Sequence, residues 1–532
     1  MSKVPSSRPD PFRAIDYLLE AAPPAMRRFV ATHRGALDAE MRFEVMLARS
    51  ASAHDGDPRD SAVSETAAFG VKVTCGGTGG VTAEGFTGVE VGRLALRKGR
   101  LMVELEAALN EALRRARWNV RQKIAALKTL GTTAPALARA LGVEPSNERA
   151  TIPATFQRDP RDALGAEMQQ LCREASSAIA GLGQDIVFNA VSALSELRHE
   201  LFINSAGAAI SQAFAYSQGD VYVVAQTADG HQETWDVIGD QRGFECLREG
   251  SRLELSAHPD LHSFALELAG ETRALAAAPP LKPPDHEVVV VTDPHFNALV
   301  AHEIIGHPCE ADRALKMEAA YAGRSWLLRS TRENQLGRPI GSPLLSACSD
   351  PTLDGYGHYL YDHEGTPARR TIHIEGGVFR GFINSRATAA ALGVKPNGSA
   401  RASEAWHLPL VRMSNTFFMP GASDPAAIVS EVERGYLVCG NNIPSIAESR
   451  ENFRISARRV YEIDHGRIGR LYRAGSVLSD SKKFFTNIDA IGNDLRLFAI
   501  PNCGKGQPMQ VKRMSNGGPT LRSRARLVGG DR

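Results

Sequence analysis

The sequence predicts an α+β fold: an N-terminal helix-and-sheet domain over residues 1–275, a proline-rich linker over 276–284, and a largely antiparallel β domain over 285–532. Three features lead to it. Leu105, Leu109, Leu113, Ala116, Val120, Ile124 and Leu127 recur at helical spacing, interleaved with Glu and Arg. The run Glu287-Val-Val-Val-Val-Thr292 reads as a buried strand leading directly into a helix. Beyond it, short strand-like segments are separated by Gly, Pro and Asn, the punctuation of an antiparallel sheet. At 532 residues the chain is long enough for two or three domains and a sizeable core.

The elements follow in order. A helix is expected from about Pro11 to Ala22, a strand near Phe43 to Ala48, and a charged loop around His54 to Asp60. Phe69 to Thr74 and Thr87 to Leu96 read as strands around a glycine-rich hairpin. That glycine cluster, Cys75-Gly76-Gly77-Thr78-Gly79-Gly80, lacks the Lys-Ser/Thr of a phosphate-binding loop and reads as a turn. A long amphipathic helix starts at Leu101, a second is expected from about Pro160 to Leu182, and Ile186 to Gln226 alternates strand patterns with small turns. The stretch from Ala276 to Pro284, rich in proline, suits a stiff extended connection. Asp293 has the chemistry of an N-cap and Pro294 that of a first helical residue. Phe296, Leu299, Val300 and Ile304 then form an apolar stripe that buries this helix. Further helices are expected near Ala387 to Leu392 and Pro425 to Gly435. At the end, Arg522, Arg524 and Arg526 alternate with Leu521, Ser523, Ala525 and Leu527, as in a half-exposed strand.

The chemistry concentrates in His302-Glu303-Ile304-Ile305-Gly306-His307. The histidines stand five apart, not four as in the common zinc-protease helix. On an ideal α-helix five steps leave two side chains about 140° out of phase, so a shared ion requires the backbone to depart from α geometry. Gly306 lowers the cost of a distorted residue and Pro308 prevents a normal helix from continuing through His307. His302 is therefore expected on regular helix, with His307 in an unwound or π-bulged terminal turn. A catalytic zinc takes a third protein ligand and leaves one position open. None of the seven cysteines forms a CxxC pair. Cys309 lies only two residues past His307, across Pro308, an awkward reach; Cys503, in Pro501-Asn502-Cys503-Gly504-Lys505-Gly506, is the better candidate, with Lys505 placed to favour the thiolate. One Zn2+ is expected, with Glu303 accepting the proton of the attacking water.

These residues sit among others whose order resembles the TldD/PmbA metallopeptidase family, on its catalytic TldD-like side. His302 to Asp312 reads HEIIGHPCEAD, Asp362 to Pro367 is similar to the family's acidic EGTP turn, and Ile374-Glu375-Gly376-Gly377 with Gly381-Phe382 is similar to the hairpin that follows. Arg401 through Thr416 carries His407-Leu408-Pro409 and Arg412-Met413-Ser414-Asn415-Thr416, followed by Gly492-Asn493-Asp494-Leu495 and Cys503-Gly504-Lys505. The resemblance implies metal ligands at His302, His307 and Cys503 and a catalytic acid/base at Glu303. It further implies a peptide substrate in a buried chamber and a partner, a related subunit lacking the metal motif in a one-to-one heterodimer, or self-association. Leu101 to Leu141 has no match in that pattern, which leaves room for a specialised amide hydrolysis in a biosynthetic pathway; a non-catalytic partner subunit is the remaining alternative. Glu310 and Asp312 are candidates to accept imidazole N–H bonds, or else form a solvated helix end. Arg401, Arg412 and His407 are candidate substrate-binding residues, the arginines alternatively pairing with acids such as Glu404.

Composition narrows the rest. With 62 basic against 60 acidic residues there is no electrostatic case for nucleic acid as the ligand. The first ten residues have no apolar signal core and no stretch is long and apolar enough to span a bilayer, so with unpaired thiols a cytoplasmic location without membrane attachment is expected.

Overall fold

The computed structural model describes residues 11–92, 96, 98–129, 144–320, 323–330 and 333–529. It is an α+β fold, a helix-covered sheet followed by a β-rich half, as the sequence predicts. The first helix, Arg13–Thr32, buries Ile15, Leu18, Ala22, Met26 and Phe29 along one face. It runs ten residues past the expected end at Ala22 and carries Pro23 and Pro24 inside it, because Met26 and Phe29 continue the buried stripe against the sheet.

Strands β1 (Ala36–His54) and β2 (Asp57–Gly76) form a long hairpin whose turn is Asp55-Gly56, both at positive φ. The expected charged loop at 54–60 is thus a two-residue Asp-Gly turn with its flanks in the ladder, since positive φ at both positions matches the twist of paired strands. β3 (Thr82–Glu90), β4 (Arg149–Ile152), β5 (Ile186–Asn204), β6 (Ala209–Gln226) and β7 (His231–Asp240) complete a seven-stranded sheet in the order β3-β2-β1-β5-β6-β4, with β7 also on β6. The long helix Lys98–Thr129 lies on β2 and β3 through Leu101, Leu105, Leu109, Leu113 and Val120. Its stripe therefore covers its own sheet. Gly85 permits the approach, because a Cβ there would sit 2.1 Å from the Ala112 carbonyl oxygen. The remainder of the unmatched stretch, from 130 to Leu141, lies outside the described residues.

From Asp38 to Val45 β1 alternates charged and apolar residues, and both of its faces are buried there. Ala39, Met41, Phe43 and Val45 face the helices, whereas Asp38, Glu40, Arg42 and Glu44 lie on the opposite face. Those charges are met from the second half of the chain: Arg386 pairs with Glu40, and Arg42 lies 3.1 Å from His363 Nδ1 and donates to the Ala405 carbonyl. Burial of such a face is eased where its charges find partners, as Glu40 and Arg42 do.

The helix Leu261–Ala277 enters the proline-rich stretch, where Leu281 is buried and donates its N–H to Arg473 O. β8 (Glu287–Thr292) is then central in a second seven-stranded sheet, between the strands Arg434–Ile446 and Leu521–Val528. A six-stranded sheet ends in the hairpin Arg496–Lys505 and Gln510–Gly518. Most pairings here are antiparallel; β8 with Arg434–Ile446 and Thr416–Phe418 with Gln510–Gly518 are parallel. Phe296, Val300 and Ile304 of the helix after β8 fill the core of this half. No helix among the described residues is long and apolar enough to cross a membrane.

Candidate metal centre

The central position of β8 fixes where the following helix begins. Asp293 caps it, accepting from Phe296 N at 2.7 Å and from Gly440 N at 3.0 Å, and Pro294 takes the first position. Regular helix lasts only from Pro294 to Val300; Ala301–Gly306 is a π-helical turn and His307–Cys309 a 3-10 turn. The departure from α geometry begins at Ala301, so His302 stands within the widened turn rather than on regular helix. His307 N–H donates to the His302 carbonyl, five residues back, which places the two side chains one above the other. Gly306 has an ordinary helical φ of −58°, so its glycine is not needed for backbone freedom. It is needed for space, because a Cβ would lie 2.5 Å from Met413 Sδ.

The imidazole centroids of His302 and His307 are 4.8 Å apart and perpendicular. Cys503 arrives from the hairpin Arg496–Lys505/Gln510–Gly518, its Sγ 3.6 Å from His307 Nε2. One ligand atom from each of His302, His307 and Cys503 falls within 4.8 Å of the other two, and all three residues are buried. The opposite ring nitrogens are occupied. His302 Nδ1 donates to Asn516 Oδ1 at 2.8 Å, and Asn516 Nδ2 donates to Thr416 O, which sets the amide orientation. His307 Nδ1 bonds Glu310 Oε2 at 3.0 Å. Both Nε2 atoms are thereby left for the shared space.

The electrostatics favour a thiolate. Burial pushes the Cys503 thiol up, but His302, His307 and the Arg412 guanidinium outweigh it and hold the group well below its ordinary value. His302 shows the counterpart, raised to about 9 against burial by Cys503 and Glu303. Burial likewise opposes, and Arg450, His302 and His307 together lower, the Glu303 carboxyl. Its carboxylate pairs with Arg450, a buried residue at φ 61° in the turn before Asn452–Asp464.

The other predicted site residues form a frame. Glu310 is fully buried against His307, Arg313 Nε at 2.8 Å and Lys505 Nζ at 3.1 Å; it is not a solvated helix end. Asp312 accepts from Lys505 Nζ at 2.7 Å and from Val411 N. Lys505 therefore serves these two carboxylates, and Arg412 is the guanidinium that, after the two imidazoles, acts on the Cys503 thiol. Arg412 is completely buried, donating to the carbonyls of Cys503 and Gln510, so it holds the hairpin's backbone and, among the described residues, pairs with no acid such as Glu404. His407 Nδ1 lies 2.9 Å from Glu404 Oε2 and its carbonyl accepts from Arg42. Arg401 is buried with its guanidinium 4.1 Å over the Tyr359 ring. Cys309 is buried in the core beside the turn and outside the ligand trio. Asn516, Arg313 and Arg450 went unmarked in the sequence: Asn516 and Arg450 lie far along the chain from His302 and Glu303, whereas Arg313 stands three residues past Glu310, a spacing that offered a signal.

Comparison with known proteins gives concordant results. The profile described as the PmbA/TldA metallopeptidase C-terminal domain matches residues 285–530. A protein of Methanothermobacter thermautotrophicus named metalloprotease is 32% identical over 376 residues, 70% of this chain and 76% of that one. A Saccharolobus solfataricus protein named zinc metalloprotease TldD homolog is 26% identical over 67% of this chain and 74% of its own. Among solved structures, TldE from Thermococcus kodakarensis has a TM-score of 0.64 at 14% identity, covering 94% of this chain and 99% of that one, a likeness of fold alone.

Proposed function

The chain belongs to the TldD/PmbA metallopeptidase family, and from that membership and the geometry of the site we propose that it is a zinc-dependent peptidase acting on peptides or unfolded segments. The observation that carries the proposal is the convergence of His302, His307 and Cys503, distant in sequence, on one buried point with their ligand atoms within 4.8 Å.

The donor set fits zinc: two imidazole nitrogens and a sulfur held toward the thiolate, with the outer ring nitrogens already bonded to Asn516 and Glu310. When bound, zinc supplies Lewis acidity toward a carbonyl and lowers the pKa of a water. Glu303 is the general base in this reading, taking the proton of the attacking water and returning it to the leaving amine. Arg450 holds that carboxylate ionised and in place. Arg412 and Lys505 steady the hairpin that delivers Cys503. We place the metal-bearing domain at 285–532, the N-terminal domain at 1–275 and the connection at 276–284, consistent with the match at 285–530. Family membership extends this reading to a partner that is a related subunit lacking the metal motif, in a one-to-one heterodimer. Seven free, buried cysteines accord with a cytoplasmic location.

The test is metal stoichiometry by mass spectrometry together with hydrolysis of an unstructured peptide library, with and without chelator and with and without a co-encoded relative. About one zinc per chain and chelator-sensitive hydrolysis are expected. Undiminished hydrolysis after complete metal removal would sink the reading, and full activity of the lone chain would sink the heterodimer.

A further inference from the structure

Arg450 has an unusual backbone for a buried residue. Of the non-glycine residues at positive φ among those described, Asp55, Lys316, Arg450, His465 and Ala474, it alone is buried, at 5% exposure. A left-handed backbone is unfavourable for a residue with a Cβ and persists where its surroundings over-determine it. Here they do. Arg450 N–H donates to Ala447 O at 2.8 Å, and Arg450 O accepts from the Ser481 hydroxyl at 2.8 Å. The residues on either side are held as well, Ser449 O by Trp326 N–H and Glu451 O by Ser481 N–H. The turn joining Arg434–Ile446 to Asn452–Asp464 is thus braced from two directions.

What this conformation delivers is a guanidinium on Glu303. Arg450 Nη1 pairs with Glu303 Oε2 and lies 3.4 Å from the Glu303 carbonyl oxygen. Pairing alone does not call for such a backbone: Arg313 holds Glu310 at 2.8 Å from ordinary helix. Strained residues concentrate where a ligand is clamped, and here the strain places a cation against the carboxylate that faces the reaction.

We propose that Arg450 is a catalytic residue whose guanidinium donates to the substrate's carbonyl oxygen as that oxygen becomes negative. The proposal rests on the peptidase reading, with Glu303 as the base. As the attacking water's oxygen bonds the carbonyl carbon, one water proton passes to Glu303 and the C=O π pair moves onto oxygen. Negative charge thereby leaves the carboxylate that Arg450 engages and arises on the substrate oxygen beside it. A guanidinium carries five N–H donors in one plane, enough to stay with Glu303 and meet a second oxygen. The second acceptor is charged only in the transition state, which is the condition for accelerating the step.

The experiment separates contact with the substrate oxygen from support of Glu303. It uses the full zinc-loaded chain with its co-encoded relative, a peptide that the wild type cleaves, and the phosphinic analogue of that peptide, whose tetrahedral anionic group stands in for the attacked carbonyl. Arg450→Gly is the main variant because glycine takes φ 61° freely, and Arg450→Lys keeps the charge without the planar fork. In Arg450→Gly, kcat falls by about 10²–10³ at near-wild-type KM and zinc content, and added guanidinium ion restores part of it. Phosphinic affinity falls about tenfold or more, and this loss persists in a Glu303→Gln background. Arg450→Lys retains part of both. An Arg450 effect on phosphinic affinity that vanishes in the Glu303→Gln background shows action through Glu303 alone and overturns the proposal. So does near-wild-type kcat in Arg450→Gly, or loss of zinc from both variants. A zinc-loaded wild type that cleaves no peptide of the library removes the peptidase reading instead.

Discussion

At the scale of single residues the centre divides into groups that carry chemistry and groups that aim them. Glu303→Gln keeps the volume and the helix but removes the base, so metal content measured by mass spectrometry is expected to stay at the wild-type level while turnover falls by about 10²–10⁴. Near-normal turnover would remove Glu303 from the mechanism. Asn516→Ala makes the opposite separation. It deletes the acceptor that fixes His302 Nδ1, so zinc affinity in a competitive chelator titration falls by about 10–100-fold, the usual effect of losing such a partner. The first of these residues was legible in the sequence and the second was not. Histidine, cysteine and glutamate announce metal chemistry by type, and the spacing of His302 and His307 demanded a distorted turn that the π-helical geometry supplies. Asparagine is ambiguous by type, and Asn516 becomes a partner only when Gln510–Gly518 is folded alongside Thr416–Phe418. Lys505 shows the limit from the other side. Its nearness to Cys503 in sequence suggested the thiol, but its ammonium is engaged by Glu310 and Asp312.

At the scale of elements, the distorted turn connects packing to metal binding. Gly306 abuts the sulfur of fully buried Met413, and the same sulfur accepts from Asn516 Nδ2 at 3.7 Å. Gly306→Ala therefore pushes Met413 toward the amide that orients His302. A thioether end yields more easily than backbone, so the expected stability loss in denaturant titration is at the low end of overpacking, about 1 kcal/mol. Zinc affinity falls along with it. A variant that bound zinc as the wild type does would show that the turn and the ligand are uncoupled. Elements defined by a stripe or by alternation, such as Lys98–Thr129 and β8, were readable because burial leaves a period in the sequence. Elements set by competition were not: Pro23-Pro24 argues locally against a helix that packing nevertheless carries to Thr32. The Asp-Gly turn at 55–56 lies in a polar segment that reads as loop until its strands are paired.

At the scale of the whole molecule, the N-terminal sheet presents a charged face to the metal-bearing half, and its charge balance ties stability to pH. Asp38, Glu40 and Glu364 share one buried cluster with Lys72 and Arg386, and Lys72 also meets the part-exposed Glu84, so the acids outnumber the two cations that pair with them. The imbalance is relieved if one acid keeps its proton. Burial, then the neighbouring Glu40, pushes the Asp38 carboxyl up to about 6, whereas Glu40 is lowered despite burial by Lys72 and Arg386. The signs are opposite. A raised folded value means that the protonated Asp38 contributes its full stability below the ordinary carboxylate value near 4, and that this contribution is lost as pH rises through about 6. Glu40, being depressed, contributes above its ordinary value and loses that contribution as pH falls. Between about pH 4 and 6 the Asp38 contribution should therefore decline by on the order of 2 kcal/mol. Asp38→Asn removes the titration while keeping the shape and a hydrogen-bonding partner for Ser205. Urea midpoints across this window should fall less steeply with pH in the variant than in the wild type, and identical slopes would show that Asp38 is ionised in the folded cluster throughout.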